Sequence, residues 1–262
     1  MARTDDELYR WAAAAPTLWL FLDYDGTLAD FSRTPDLVEV KPEVVSLVRA
    51  LSANPRIRVA VISGRGLKIV RQLLPVEGIF LAGVYGVEIQ TPAGEVTYRE
   101  NLGRIRPFLE RIKPRWQELI SGQPGFFLED KDWTLAIHAD KAPQPAAQKV
   151  LAAARQAAQA ELPRNHFRWF ADDVFLEIAP YLAHKGRTVS YLYQHFPLTG
   201  SRLIYIGDDD RDEEAFETVD GFGGVNIVVS ARARPAHLDQ VDYTLNSPAA
   251  VHDWLERLLQ CL

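Results

Sequence analysis

The chain has 262 residues, 47% hydrophobic and 24% charged, a globular balance with length enough for a large buried core. A formal charge of −6 and the lack of any basic run exclude a nucleic-acid-binding surface, global or local. The single cysteine, Cys261, excludes an intrachain disulfide and any C-x-x-C metal or redox motif, and it fits a reducing compartment.

The chain opens "MARTDDELYRWAAAAPTLWLFLDYD". Acids come early, and Pro16 and Asp23 stop the apolar part short of a membrane span or a leader peptide. A cytoplasmic protein with no membrane partner is expected. Next, "LWLFLD" (18–23) has the two-sided apolar character of a buried parallel strand. It runs into "DYDGTLADF", where Asp23 and Asp25 stand two residues apart. Like charges so close, at the end of a buried strand, call for a positive partner.

Further strands of the same kind are expected at 57–63 ("IRVAVIS"), 79–84 ("IFLAGV"), 202–208 ("RLIYIGD") and 225–229 ("VNIVV"). Helical patterns fall between them, at "KPEVVSLVRALSAN" with Pro42 near its start, "GLKIVRQLLP" and "GRTVSYLYQHF". This alternation predicts an α/β fold, a Rossmann-like parallel sheet with helices on both faces. "VEIQTPAGEVTYRE" predicts a hairpin around Ala93-Gly94. From 102 to 183 the rhythm changes. A helix over 107–120, a strand pair joined at Lys131-Asp132, an Ala-rich helix and a second strand pair in "FRWFADDVFLEIAP" predict an inserted α+β module. The expected division is a core of 1–101 and 184–262 with an insert of 102–183, joined near Gly103 and Ala183.

Ligands of open α/β sheets bind beyond the carboxyl ends of the strands. Three expected strands end there in polar residues: Asp23-Tyr24-Asp25-Gly26-Thr27, Ser63-Gly64-Arg65, and Asp208-Asp209-Asp210-Arg211-Asp212. Lys185 opens the helix before the last of these. Each alone has an ordinary explanation, since Asp-Gly is a common turn and acids favour helix N-termini. Together, in order and at strand ends, they describe one rim. Mg²⁺, which takes carboxylates, waters and phosphate oxygens, would relieve the repulsion, with Asp23 and Asp208 as ligands and Asp209 or Asp212 behind them. Asp23 then suits a nucleophile towards phosphorus, and Asp25 a general acid and base. Ser63 and backbone N–H groups would hold the phosphoryl oxygens, with Lys185 as a compact positive charge.

At these residues the chain resembles a known superfamily. "DYDGT", "VISGR", "HKG" and "IGDDDRDEEAF" are similar to the four motifs of the haloacid dehalogenase (HAD) superfamily of phosphatases, over roughly 15–101 and 184–250. The resemblance implies Asp23 as nucleophile, Asp25 as acid and base, and Thr27, Ser63, Gly64 and Lys185 on the phosphate. Asp208 and the backbone carbonyl of Asp25 join Asp23 on Mg²⁺, and the insert becomes a cap. Within the superfamily, "LFLDYDGTLA", "ISGR", "LEDK" and "FLEIAP" resemble the trehalose-6-phosphate phosphatases. That resemblance implies Arg65 and the cap residues Glu129, Lys131 and Glu177 on the sugar, a trehalose 6-phosphate substrate and, as an expectation, a monomer. Three positions depart from the family pattern. Tyr85 stands where Gly-x-His-Gly is usual, His138-Ala139-Asp140 where His-x-Arg is usual, and Arg211 where Thr is usual. Another glycosyl phosphate, a phosphoryl transfer other than hydrolysis, and a non-catalytic phosphate- or metal-binding module therefore stay open as alternatives. A kinase is disfavoured by the lack of a G-x-x-x-x-G-K-[ST] loop.

Overall fold

A computed structural model of the chain describes residues 4–30, 39–163, 165–230 and 241–262. Phe31 of the first motif lies outside them. Contacts divide the chain into two compact units, one running up to Thr97 and again from His184 onward, the other Tyr98–Ala183.

The first unit opens with α1 (Asp5–Ala13), then β1 (Thr17–Leu22), α2 (Pro42–Ala53), β2 (Ile57–Ile62), α3 (Leu67–Leu73) and β3 (Phe80–Gly83). The hairpin strands β4 (Glu88–Gln90) and β5 (Val96–Tyr98) follow. The second unit holds α4 (Leu102–Ile120), β6 (Phe127–Asp130), β7 (Leu135–His138), α5 (Gln144–Gln159), β8 (Phe167–Ala171) and β9 (Phe175–Pro180). The chain then returns to the first unit through α6 (Lys185–His195), β10 (Ser201–Gly207), α7 (Glu213–Gly221), β11 (Val225–Val229), β12 (Tyr243–Leu245) and α8 (Pro248–Cys261).

The first unit is an eight-stranded sheet in the order β12-β11-β10-β1-β2-β3-β4-β5, parallel from β12 through β3 and antiparallel at β3–β4. β1 lies inside it, with neighbours on both edges and helices on both faces, so it is apolar throughout. Leu18, Leu20 and Leu22 pack with residues of α1, α2, α3 and α8, while Trp19 and Phe21 pack with residues of α6 and α7. Strand alternation thus sets one layer of helices on each side. If the alternation continues past Leu22, Asp23 falls on the face of Trp19 and Phe21, where α6 and α7 lie.

The second unit pairs a four-stranded antiparallel sheet, β6-β7-β9-β8, with α4 and α5. Tyr98, the last residue of β5, belongs to this unit, and its ring stacks on Trp133, centroids 5.8 Å apart. The sequence predicts a helix from 107, with Pro107 at its start. The structure begins the helix at Leu102 and carries it through Pro107 and Pro114. The apolar stripe explains the difference. Ile105, Leu109, Ile112 and Trp116 are all buried, at helical spacing on both sides of each proline. Burial of this stripe outweighs the lost backbone bonds.

Candidate active site

The parallel register builds the site. Leu22 pairs with Ile206 on one side and Val61 on the other, so β1, β10 and β2 end nearly in step. Asp23 follows β1, Ser63 follows β2, and Asp208 follows β10. Asp23 is anchored by its N–H, which donates to the Ile206 carbonyl at 2.9 Å.

Lys185, the first residue of α6, is buried between these acids. Its Nζ donates to Asp23 Oδ1 at 2.9 Å and to Asp212 Oδ1 at 2.6 Å, and Asp209 Oδ1 lies 3.8 Å away. Burial alone would lower the ammonium's pKa, but Asp212 and Asp23 hold it well above its usual range. Asp212 is fully buried and heavily engaged. Its Oδ1 accepts from Lys185 and from the Tyr205 hydroxyl, and its Oδ2 from the backbone N–H groups of Asp208 and Asp209 at 3.1 and 3.2 Å. Asp212 therefore orders the loop. Asp209 receives the Arg211 N–H on Oδ1 at 3.0 Å.

Three carboxylates so face one ammonium, and a fourth, Asp208, lies beside Asp23 and Asp212. Burial, and behind it the charges of Asp208 and Asp209, push Asp23 up to about 8 despite Lys185. Burial and the neighbouring Asp209 and Asp212 push Asp208 up to about 7. Carboxyl oxygens of Asp23, Asp208 and Asp212 all lie within 4.8 Å of one another. An excess of buried, mutually repelling hard oxygens fits a small divalent cation. Gly26 makes room for this arrangement. Its φ is +84°, and a Cβ there would sit 2.1 Å from Asp208 Oδ2.

Two predicted residues have partners within the protein. Thr27, expected on the phosphate, is fully buried, and its hydroxyl donates to Asp208 Oδ1 at 3.3 Å. Arg65, expected at the sugar, directs its guanidinium to Asp25. Nε and Nη2 donate to the two carboxylate oxygens, both at 2.7 Å, a fork geometry that fixes the carboxylate plane. Ser63 is buried, with its Oγ accepting from the Arg65 N–H at 3.1 Å. Gly64 lies under the Tyr85 ring.

Sequence reasoning missed several supports. Tyr205 is a strand residue among apolar neighbours and carries no signal that separates it from core. The turn Val84–Gly86 holds three successive left-handed residues, with φ of 50°, 55° and 97°. Left-handed backbone costs about 1–2 kcal/mol per residue with a side chain. Here Gly86 alone gives notice of it in the sequence. His184 caps α6, and its Nδ1 lies 2.9 Å from Glu214 Oε2.

In the second unit, Glu129, Lys131 and Glu177 form one cluster. Lys131 Nζ donates to Glu177 Oε1 at 2.9 Å and lies 3.5 Å from Glu129 Oε2. Glu177 is fully buried and also accepts from the Thr134 hydroxyl at 2.7 Å, and His138 Nε2 is 2.8 Å from Glu129 Oε2. Burial raises the Glu129 pKa, yet His138 and Lys131 hold it below the usual carboxylate range. Paired and largely buried, these are not the exposed charges that such residues ordinarily are.

The fold is that of the HAD-like hydrolases. A haloacid dehalogenase-like hydrolase from Bacteroides thetaiotaomicron superposes with a TM-score of 0.64 at 18% identity, over 92% of this chain and 99% of that one. The C-terminal domain of Candida albicans trehalose-6-phosphate phosphatase gives 0.84 at 18% identity, over 99% and 97%. The profile of the Trehalose-phosphatase family matches residues 21–249, and the chain belongs to that family. A trehalose-phosphate phosphatase of Mycobacterium tuberculosis is 32% identical over 253 residues, 93% of this chain. The chain spans 61% of the length of that relative. No helix among the described residues is long and apolar enough to cross a membrane.

Proposed function

We propose that the chain is a Mg²⁺-dependent phosphatase that hydrolyses trehalose 6-phosphate to trehalose and phosphate through an aspartyl-phosphate on Asp23. The observation that carries this reading is Asp23 itself, at a strand end, buried, with Lys185 on one oxygen and Asp208 beside it. Family membership and the names of the relatives support the substrate. The reading places the protein in the cytoplasm as a monomer acting on a small sugar phosphate.

Asp23 attacks phosphorus, and the bond from phosphorus to the sugar oxygen breaks. Asp25 gives its proton to that leaving oxygen, then takes one from the water that attacks the phosphorus of the acyl phosphate. Arg65 holds the Asp25 carboxylate in one plane when it is ionised, the form that takes the proton from water. Lys185, Ser63 and the Gly64 backbone stabilise charge on the phosphoryl oxygens. Thr27 serves the reaction through Asp208. Asp23, Asp208 and the Asp25 carbonyl would hold Mg²⁺, with Asp209 and Asp212 ordering the loop behind them. When bound, the ion neutralises the acids and polarises a phosphoryl oxygen. In the cap, Glu129, Lys131 and Glu177 offer the donors and acceptors that sugar hydroxyls need.

A second reading, a phosphatase of another glycosyl phosphate, is favoured by one observation. After β7, Ala139 is fully buried and Asp140 is exposed, so the family's cation is missing there. Phosphate release from a panel of sugar phosphates, with Mg²⁺ and with chelator, separates the readings. Selective, Mg²⁺-dependent release from trehalose 6-phosphate supports the first. Release from other sugars alone refutes that substrate while retaining the Asp23 chemistry. No release from any member refutes the phosphatase.

A further inference from the structure

The turn Val84–Gly86 reaches three of the segments that form the rim. Its left-handed backbone turns Tyr85 so that both its peptide groups are engaged. The Tyr85 N–H donates to the Ser63 carbonyl at 2.8 Å, and the Val84 N–H to the Arg65 carbonyl at 2.8 Å. The Tyr85 carbonyl accepts from the Thr188 hydroxyl at 2.8 Å and the His184 N–H at 3.2 Å, from the first turn and the N-cap of the helix that starts with Lys185. The buried ring covers Gly64, where a Cβ would stand 2.7 Å from ring carbons and the hydroxyl oxygen. The Arg211 guanidinium lies 5.9 Å from the ring centroid, which ties in the acidic loop. Gly86 is required for the closeness, since a Cβ there would fall 1.9 Å from Thr188 Oγ1. A strained turn held by this many bonds is over-determined by its surroundings, as strained turns at working sites are.

We propose that Tyr85 is a positioning residue that sets the distance between the Ser63-Gly64 loop and Lys185, and so fixes the cradle for the phosphoryl group. The inference rests on the phosphatase reading and deepens it. Tyr85 acts through Gly64 and Lys185, so its effect falls on the phosphate end of any substrate and is blind to the sugar. Misplacement of a group by about 1 Å can cost up to about a hundredfold in rate.

The test uses Tyr85→Gly, which keeps the backbone conformation and removes the ring, and Tyr85→Phe, which keeps the ring. Steady-state rates are measured with Mg²⁺ on trehalose 6-phosphate and on a small aryl phosphate, with orthophosphate as competing inhibitor. Tyr85→Gly is expected to lower kcat/KM about tenfold or more on both substrates alike, and to weaken orthophosphate inhibition by a similar factor. Tyr85→Phe is expected to restore most of both. A folded Tyr85→Gly with orthophosphate inhibition and kcat/KM within twofold of the unaltered chain overturns the inference alone. So does a loss confined to the trehalose substrate. If Tyr85→Gly does not fold, Tyr85→Asn, which also tolerates the left-handed backbone, carries the same expectations. An unaltered chain that hydrolyses neither substrate overturns the phosphatase reading and the inference with it.

Discussion

Gly26 shows how narrowly the acids are placed. Its φ of +84° and the 2.1 Å from a Cβ to Asp208 Oδ2 leave no room for alanine. Gly26→Ala is expected to displace Asp208 and weaken Mg²⁺ binding at least tenfold, read as the Mg²⁺ concentration that half-saturates the rise in Tm. Asp23 and Asp208 give a pH dependence whose sign is fixed. Both are raised in the fold, to about 8 and about 7, from ordinary values near 3.8. Their stabilising effect is full below the unfolded value and is lost as pH rises through the folded values. In chelator, Tm is therefore expected to fall between pH 5 and pH 8. Asp208→Asn should flatten that fall, worth a few degrees in Tm for about 1–2 kcal/mol in a chain of this size. The rise in Tm on adding Mg²⁺ should be larger at pH 8 than at pH 6, because binding then displaces fewer protons. An equal rise at both pH values would contradict the coupling. At this scale the sequence reveals the acids because they follow strand ends in order, and Lys185 because it opens the helix before the last of those strands. It does not reveal Tyr205 or Thr188, whose roles depend on which neighbour the fold places opposite them.

Elements were legible where one period ran without interruption. The parallel strands of the first unit read directly as two-sided apolar runs, and the hairpin around Ala93-Gly94 forms with Gly94 at a φ of 84°. The join at Lys131-Asp132 also holds, with Asp132 left-handed at 64°. α1 carries a readable signal, since Thr4 and Glu7 form a capping box at its start. β12 has three residues, one of them buried, too few for any pattern. Pro107 hides the first turn of α4 from a reading of the sequence, although the apolar stripe already begins at Ile105. That stripe makes its own prediction. Trp116 is fully buried, and its Nε1 donates to the Ala154 carbonyl at 2.9 Å. Trp116→Ala is expected to destabilise the second unit by about 3–5 kcal/mol in a denaturant titration.

At the scale of the whole molecule, the sequence announces two units through its change of rhythm. Strand and helix alternate up to Gly83, helices and antiparallel strand pairs take over in the insert, and the alternation resumes at Lys185. The proposed division of labour gives phosphoryl chemistry to the first unit and sugar recognition to the second. Glu129→Ala is then expected to lower kcat/KM for trehalose 6-phosphate at least tenfold and to leave a small aryl phosphate within about threefold. Equal losses would refute the assignment of the cap cluster. What the sequence could not supply was the depth of that cluster, because burial of Glu177 depends on how β9 pairs with β7 and β8. The central claim is that Asp23 carries the phosphoryl group. The most direct test is an acid quench during turnover of trehalose 6-phosphate radiolabelled on phosphorus, followed by digestion of the protein. The account predicts label on the peptide bearing Asp23, and no label and no turnover with a folded Asp23→Asn. Released phosphate with no labelled peptide at any quench time, or a near-normal rate in Asp23→Asn, would contradict it.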